Sequence, residues 1–233
     1  AEIRQEGNKL VLGATVRHYQ LEEDPLIRQT VPLLAEVAPY IGHAQIRHRG
    51  TVCGSLVHAD PAAELPAAML ALDAELVAEG PGGRRTIPFR EFYLGYLMTT
   101  LAPDELVVAV RVPIPAPGTG WGFQEISRRH GDFAIAGAAV LVALHLDGSV
   151  SQACIALTGV SGAALRAAEV EAALAGKLPT PEVLAEVSSQ VADLVDAETD
   201  LHATLEYRRQ VAAVVTERAL AMAVKRAQGG QPK

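Results

Sequence analysis

The chain has 233 residues, 49% of them apolar and 20% charged. That is enough apolar chain to bury a core of one large domain or two small ones, and too much for a disordered segment. A formal net charge of −7 argues against a nucleic-acid binder, whose affinity rests on Lys and Arg.

Residues 9–16 alternate and read as a strand after the Gly7-Asn8 turn. Asp24-Pro25 then opens one helix that carries Leu26, Val31, Leu34 and Val37 at near-helical spacing and ends at Pro39. Residues 42–55 read as a glycine-punctuated loop, and residues 62–72, rich in Ala, Leu and Met, as a helix. Residues 75–78 and 85–87 flank Gly80-Pro81-Gly82-Gly83 and predict a hairpin. That tip lacks the Lys and the strand-to-helix setting of a phosphate loop. A β-branched strand over 107–112 precedes Pro113 to Gly120, which holds three prolines and two glycines, and the domain boundary is placed there. Beyond it, strands are expected over 121–128, 138–146 and 150–157, the last two joined by Asp147-Gly148. Gly159-Val160-Ser161-Gly162 lacks the spacing of a nucleophile elbow and reads as a turn. Three helices follow. The first covers 163–175 and stops at Gly176, the second starts at Thr180-Pro181-Glu182 and runs to about residue 195, and the third starts at Thr204. In the third, Val211, Val215, Ala219 and Met222 form one buried stripe; the tail 228–233 is expected to fray. The fold class is therefore α+β, with a mixed first half and a C-terminal domain of a three-stranded antiparallel sheet and three helices.

Two cysteines, Cys53 and Cys154, sit far apart in sequence and outside any C-x-x-C motif. With no apolar signal segment at the start, they predict a reduced, cytoplasmic chain without a disulfide framework. The longest apolar run, residues 133–144, falls short of the roughly 20 residues of a membrane span. None of the seven histidines pairs at metal-ligand spacing, so no metal site is expected. The segment Thr51-Val52-Cys53-Gly54-Ser55, near Arg47 and Arg49, offers two hydroxyls and a run of N–H groups. Such a run can compensate a diphosphate, or it can be a plain surface turn. Asp60 and Glu64, four positions apart, either cap and charge the next helix or accept from sugar hydroxyls.

Residues 45–66, QIRHRGTVCGSLVHADPAAELP, resemble the flavin subunit of molybdenum hydroxylases, the family of the carbon monoxide dehydrogenase medium chain and the FAD domain of xanthine dehydrogenase. The family pattern is Q-I-R-N-x-G-T-x-G-G-N/D followed by A-D-P-x-x-D. The likeness continues, in order, at residues 92–96 (FYLGY) with 101–106, at 127–134 (SRRHGDFA), at 156–160 (ALTGV), and at Asp200-Leu201-His202 with Tyr207-Arg208-Arg209. The resemblance implies a truncated, PCMH-like FAD-binding α+β domain over 1–117 and the flavin subunit's C-terminal domain over 118–233. It implies that Thr51, Val52, Cys53, Gly54 and Ser55 carry the pyrophosphate, and that Glu64 takes the ribityl-side carboxylate role with Asp60 beside it. Ile41 and Leu106 would form an apolar wall, and Phe133 would lie beside the isoalloxazine ring. No residue of this chain would be catalytic toward the organic substrate. FAD would reside in this subunit, molybdopterin in a large partner and [2Fe-2S] clusters in a small one, as a dimer of heterotrimers. Electrons would pass from the clusters through FAD to an external acceptor.

The chain departs from the pattern at Cys53, in place of the first glycine of the G-G pair, and at Ser55. A side chain at a positive-φ position 53 would be strained and would crowd a diphosphate. The family's A-G-G-x-S-L loop does not occur in these 233 residues, so the chain is expected to correspond to the family without its first lobe. These departures carry the alternative reading, a cofactor-free subunit that tethers the molybdenum and iron–sulfur subunits.

Overall fold

The computed structural model describes residues 1–229. The first half is built on a five-stranded antiparallel sheet in the order β1 (Ile3–Glu6), β2 (Lys9–Gly13), β7 (Leu106–Pro113), β3 (Glu75–Gly80), β4 (Gly83–Pro88). Register explains the alternation in the sequence. Leu12 faces Val110, Val110 faces Leu76, and Leu76 faces Ile87. All four are buried, so one row of apolar side chains crosses four strands. A small hairpin, β5 (Tyr93–Gly95) and β6 (Met98–Thr99), stands apart.

Six short helices occur in this half: α1 (His18–Glu23), α2 (Pro25–Thr30), α3 (Pro32–Val37), α4 (Ala44–Arg47), α5 (Val52–His58) and α6 (Glu64–Ala71); all but α4 share a core with the sheet. The single helix expected after Asp24 is in fact two. Asp24 caps α2 as anticipated, its Oδ1 accepting from Leu26 N (2.9 Å) and Ile27 N (3.3 Å). Pro32 then pushes Val31 out of the helical region (φ −138°, ψ 63°), and α3 begins anew. The expected loop over 42–55 is also corrected, since it holds α4 and α5.

The second half carries β8 (Gly120–Ser127), β9 (Ala134–Leu144), β10 (Val150–Thr158) and a two-residue β11 (Leu165–Arg166), a fourth strand beyond the three expected. Helices α7 (Ala168–Leu174), α8 (Pro181–Ser189) and α9 (Leu205–Ala227) follow. Thr180 and Thr204 cap α8 and α9 through their hydroxyls. Residues 134–142 of β9 are buried on both faces. Ala136, Ala138, Val140 and Val142 meet α9, while Ala139 and Leu141 join the core of the first half. Side chains at Gly120 and Gly122 would run into the Ala223 and Ala219 carbonyls of α9, so both glycines are there for close approach. Val211, Val215 and Ala219 are buried as the stripe predicted, and Met222 is half-buried. Of the tail expected to fray, 230–233 lies outside the described residues.

Helices α3 and α6 pack on one face of the second sheet and share a core with the five-stranded sheet, while α7 and α9 pack on its other face with α8 against them. Among the described residues no helix is long and apolar enough to cross a membrane.

Candidate cofactor site

Thr51 caps α5: its Oγ1 accepts from Gly54 N (3.1 Å). The residues before it are pinned to the start of α1. Val52 N donates to Val16 O (2.9 Å), His18 N to Gly50 O (3.2 Å), and His18 Nε2 to Thr51 O (2.9 Å). Burial, with the charge of Arg47, lowers the His18 pKa, and its Nδ1 has no partner among the described residues, so the ring is neutral with its proton on Nε2. A Cβ on Gly50 would stand 2.9 Å from the His18 ring. That contact accounts for the glycine before Thr51.

In this first turn, Ser55 N donates to Thr51 O (3.0 Å), and among the described groups only the Cys53 N–H lacks an acceptor. Cys53 is helical with negative φ, so the anticipated strain is absent. Its side chain is buried in the core, and burial pushes the thiol up to about 12. The thiol therefore neither crowds the N-terminal face of α5 nor reacts. Cys53→Gly is expected to lower stability by about 1–2 kcal/mol, from lost burial and helix propensity, as a shift in the urea unfolding midpoint. Val52 also points into the core, which leaves Thr51, Gly54 and Ser55 at the accessible side.

Arg47 does not face an anion site. Its Nη1 donates to Gly42 O (3.0 Å) and Pro39 O (3.3 Å), holding the turn that ends at Ile41. Ile41 is buried. The segment 128–133 packs on this turn, because a Cβ on Gly131 would stand 2.7 Å from His43 Nδ1. Leu106 is not brought in with Ile41; it opens β7 opposite Glu79 and is 73% exposed.

The Asp60-Pro61 turn is bolted to the second sheet. Ala134 N donates to Ala62 O (3.3 Å) and Gly159 N to Pro61 O (2.9 Å), and the Thr158 hydroxyl reaches the carbonyls of Pro61 (2.9 Å) and Ala63 (2.7 Å). Asp60 does not cap α6, whose N-cap is Ala63; its Oδ1 accepts from Ala62 N (2.9 Å) and closes the turn. An open cleft of about 990 Å³ lies against this turn and brings Asp60 and the 59% exposed Phe133 together with Tyr96, Arg128, Asp200 and Arg208. Thr51 to Ser55, Ile41, Glu64 and Leu106 do not line it. The sequence reading names Arg208 within the resemblance but gives it no role, although a charge three positions before Val211 on the buried stripe of α9 marks it.

Glu64, the first residue of α6, is 4% exposed. Among the described residues no other residue donates to its carboxyl, and burial, reinforced by the charge of Asp60, pushes it up to about 7. Glu125 on β8 was also missed. Burial and then the charge of Glu64 push it up to about 8, and its Oε2 is buried without a partner among the described residues. It shares the inward alternation of Trp121 and Phe123, which is where a sequence reading could have found it.

The FAD binding domain in molybdopterin dehydrogenase matches residues 1–115, and the CO dehydrogenase flavoprotein C-terminal domain matches 121–223. The chain is 40% identical over 97% of its length, and 77% of the relative's, to the 6-hydroxypseudooxynicotine dehydrogenase complex subunit alpha of Paenarthrobacter nicotinovorans. It is 38% identical to the carbon monoxide dehydrogenase medium chain of Hydrogenophaga pseudoflava, over 94% of this chain and 76% of that one. The solved carbon monoxide dehydrogenase from Hydrogenophaga pseudoflava superposes with a TM-score of 0.94 at 40% identity, covering 97% of this chain and 78% of the other. The α+β fold matches, and the chain belongs to the family of FAD-binding medium subunits of the molybdenum hydroxylase-type dehydrogenases.

Proposed function

We propose that this chain carries FAD and passes electrons from [2Fe-2S] clusters of a small partner subunit to an external acceptor, while a large partner oxidises the organic substrate at molybdopterin. The complex would be a cytoplasmic dimer of heterotrimers. The observation that carries the reading is Glu64. A buried carboxyl to which no other described residue donates needs donors, and the hydroxyls of a ribityl chain are donors of that kind. The hydroxyls of Thr51 and Ser55, the exposed Gly54 and the free Cys53 N–H would face the pyrophosphate. Val52 would contribute through its place in the same turn, Asp60 through its charge beside Glu64, and Ile41 and Leu106 through apolar surface. Phe133, exposed at the cleft, offers an aromatic face to the flavin ring.

Bound FAD would supply the redox chemistry, taking up two electrons and releasing them one or two at a time. The chain's own part is to bind, orient and shield the ring. The tether alternative loses its main support, because Cys53 points into the core and leaves the N-terminal face of α5 open. Purification with the partner subunits is expected to return one FAD per chain, read from the visible spectrum; an intact complex without flavin would overturn the reading. Glu64→Gln is expected to weaken FAD binding about tenfold to a hundredfold, the worth of a charge-assisted hydrogen bond, by flavin fluorescence titration.

A further inference from the structure

Glu125 and Gly137 are directly opposed on β8 and β9, and Gly137 is opposed to Thr158 on β10. A Cβ on Gly137 would stand 2.9 Å from Thr158 Cγ2 and 3.6 Å from Glu125 Cβ. The three positions form one row on the face toward the first half, and its middle member has no side chain. At the far end of the row, Thr158 holds the carbonyls of Pro61 and Ala63, so α6 starts, with Glu64, over this row. Two carboxyls from different halves of the chain thus meet in the interface.

The ionisable groups facing Glu125 are Glu64 from α6 and Tyr40 from the turn after α3, whose pKa burial and then Glu36 and Glu125 raise; Ser127 on its own strand works against the rise in Glu125, while its hydroxyl donates to Arg129 O (2.9 Å). Asp60 acts on Glu64. Among the described residues no cation acts on either carboxyl. Two like charges in such a setting do not both ionise near neutrality, and their titrations belong to the pair.

We infer that Glu64 and Glu125 hold one proton between them and that Glu125 is a positioning residue: by keeping that proton it presents Glu64 as an ionised acceptor to the ribityl hydroxyls of FAD. The positioning role rests on the reading of Glu64 under Proposed function; the shared proton does not. Both carboxyls sit above their ordinary 4.5 in the fold, at about 7 and about 8, so the folded chain binds more protons than the unfolded one. Their contribution to stability is full below about pH 4.5 and is lost as pH rises through about 7 and about 8.

Thermal unfolding of the apoprotein from about pH 5 to about pH 9 tests the shared proton. The wild-type midpoint should fall with rising pH. In Glu64→Gln the remaining fall should move to lower pH, because Glu125 has lost its negative neighbour, and the double Gln variant should lose the fall, keeping only the rise toward about pH 6.5 that buried, neutral His18 gives. A fall left at the wild-type pH in Glu64→Gln would overturn the shared proton. FAD fluorescence titration tests positioning. Wild-type affinity should be bell-shaped in pH, falling on the acid side as Glu64 takes up a proton, and by up to about tenfold per pH unit on the alkaline side, because bound FAD shuts water from the pair and disfavours its second negative charge; Glu125→Gln should abolish that alkaline loss. An unchanged alkaline loss in Glu125→Gln would overturn the positioning role. Failure of wild type to bind FAD at any pH would overturn the cofactor reading and the positioning role with it, and the apoprotein scans would still decide the shared proton.

Discussion

Glu36→Ala is expected to cost about 3–5 kcal/mol, the usual result of removing one partner from a buried ionic network. Glu36 lies on α3 and reaches across to the second half. Its Oε2 accepts from Trp121 Nε1 (2.8 Å) and from Arg226 Nη1 (2.6 Å), and its Oε1 accepts from Phe123 N (3.3 Å). Arg226 also donates to Trp121 O (2.7 Å), and its guanidinium lies 4.7 Å from the centre of the indole ring. One carboxylate therefore ties α3, β8 and α9 together. The side chains of Arg226 and Glu36 are only 12% and 20% exposed. Truncation leaves an indole N–H, a backbone N–H and a cation short of acceptors in a place water reaches poorly. Denaturant unfolding followed by the fluorescence of the single tryptophan reads both the loss and any red shift at Trp121 itself. Glu36→Gln keeps one acceptor and should cost about half as much. The exposed Arg4–Glu6 pair is the control; breaking it should cost less than about 1 kcal/mol. A comparably small loss at Glu36 would mean that α3 is held to the second half by apolar packing alone.

The second half was readable because its signals are local and long enough to repeat. Thr180-Pro181 and Thr204 cap real helices, Asp147-Gly148 turns a real hairpin with Gly148 at φ +84°, and the α9 stripe spans several turns. The first half resisted for the opposite reason. Helices of four to seven residues, such as α4 and α5, offer no window in which a helical period can outweigh punctuation by glycine. Gly50 and Gly54 suggested a loop. In the fold, Gly50 makes room for the His18 ring, and Gly54 sits in the first turn of a helix, bonded to Thr51. Cys53 shows the same limit at the site. Its replacement of a glycine looked like an obstacle to a diphosphate, and only the direction of its side chain removes the objection. Glu125 and Arg208 carried a signal that went unread: each is a charge at a position where its own element's period predicts an apolar side chain. The reason for each charge lies on another element, acceptors for Arg208 and a second carboxyl for Glu125, and no single stretch of sequence displays both.

Arg208→Met is expected to be as costly as Glu36→Ala, about 3–5 kcal/mol, and to loosen the wall of the cleft. Arg208 is 7% exposed, and its guanidinium spans three segments. Nη1 donates to Ile135 O (2.7 Å) and Gly159 O (2.9 Å), and Nη2 donates to Asp200 Oδ2 (2.7 Å). Asp200 Oδ1 in turn accepts from His202 N (2.7 Å) and Ala203 N (2.9 Å), which fixes the chain just before Thr204 caps α9. Methionine fills the volume but meets neither carbonyl, so two buried acceptors and the Asp200 carboxylate lose their donor. Arg208→Lys keeps the charge but cannot reproduce the fork, and should recover less than half of the loss. Asp200→Asn should cost less than either, since the Asp200 side chain is 44% exposed and water can replace part of what it gives up. Hydrogen exchange separates local from global damage. In Arg208→Met, the amides of Gly159 and Ala134, which donate to Pro61 O and Ala62 O, should exchange faster than the middle of β9. The Asp60-Pro61 turn and Phe133 are held against the second sheet through those bonds. Uniform acceleration across β9 would instead show that Arg208 holds up the whole second sheet rather than the cleft wall.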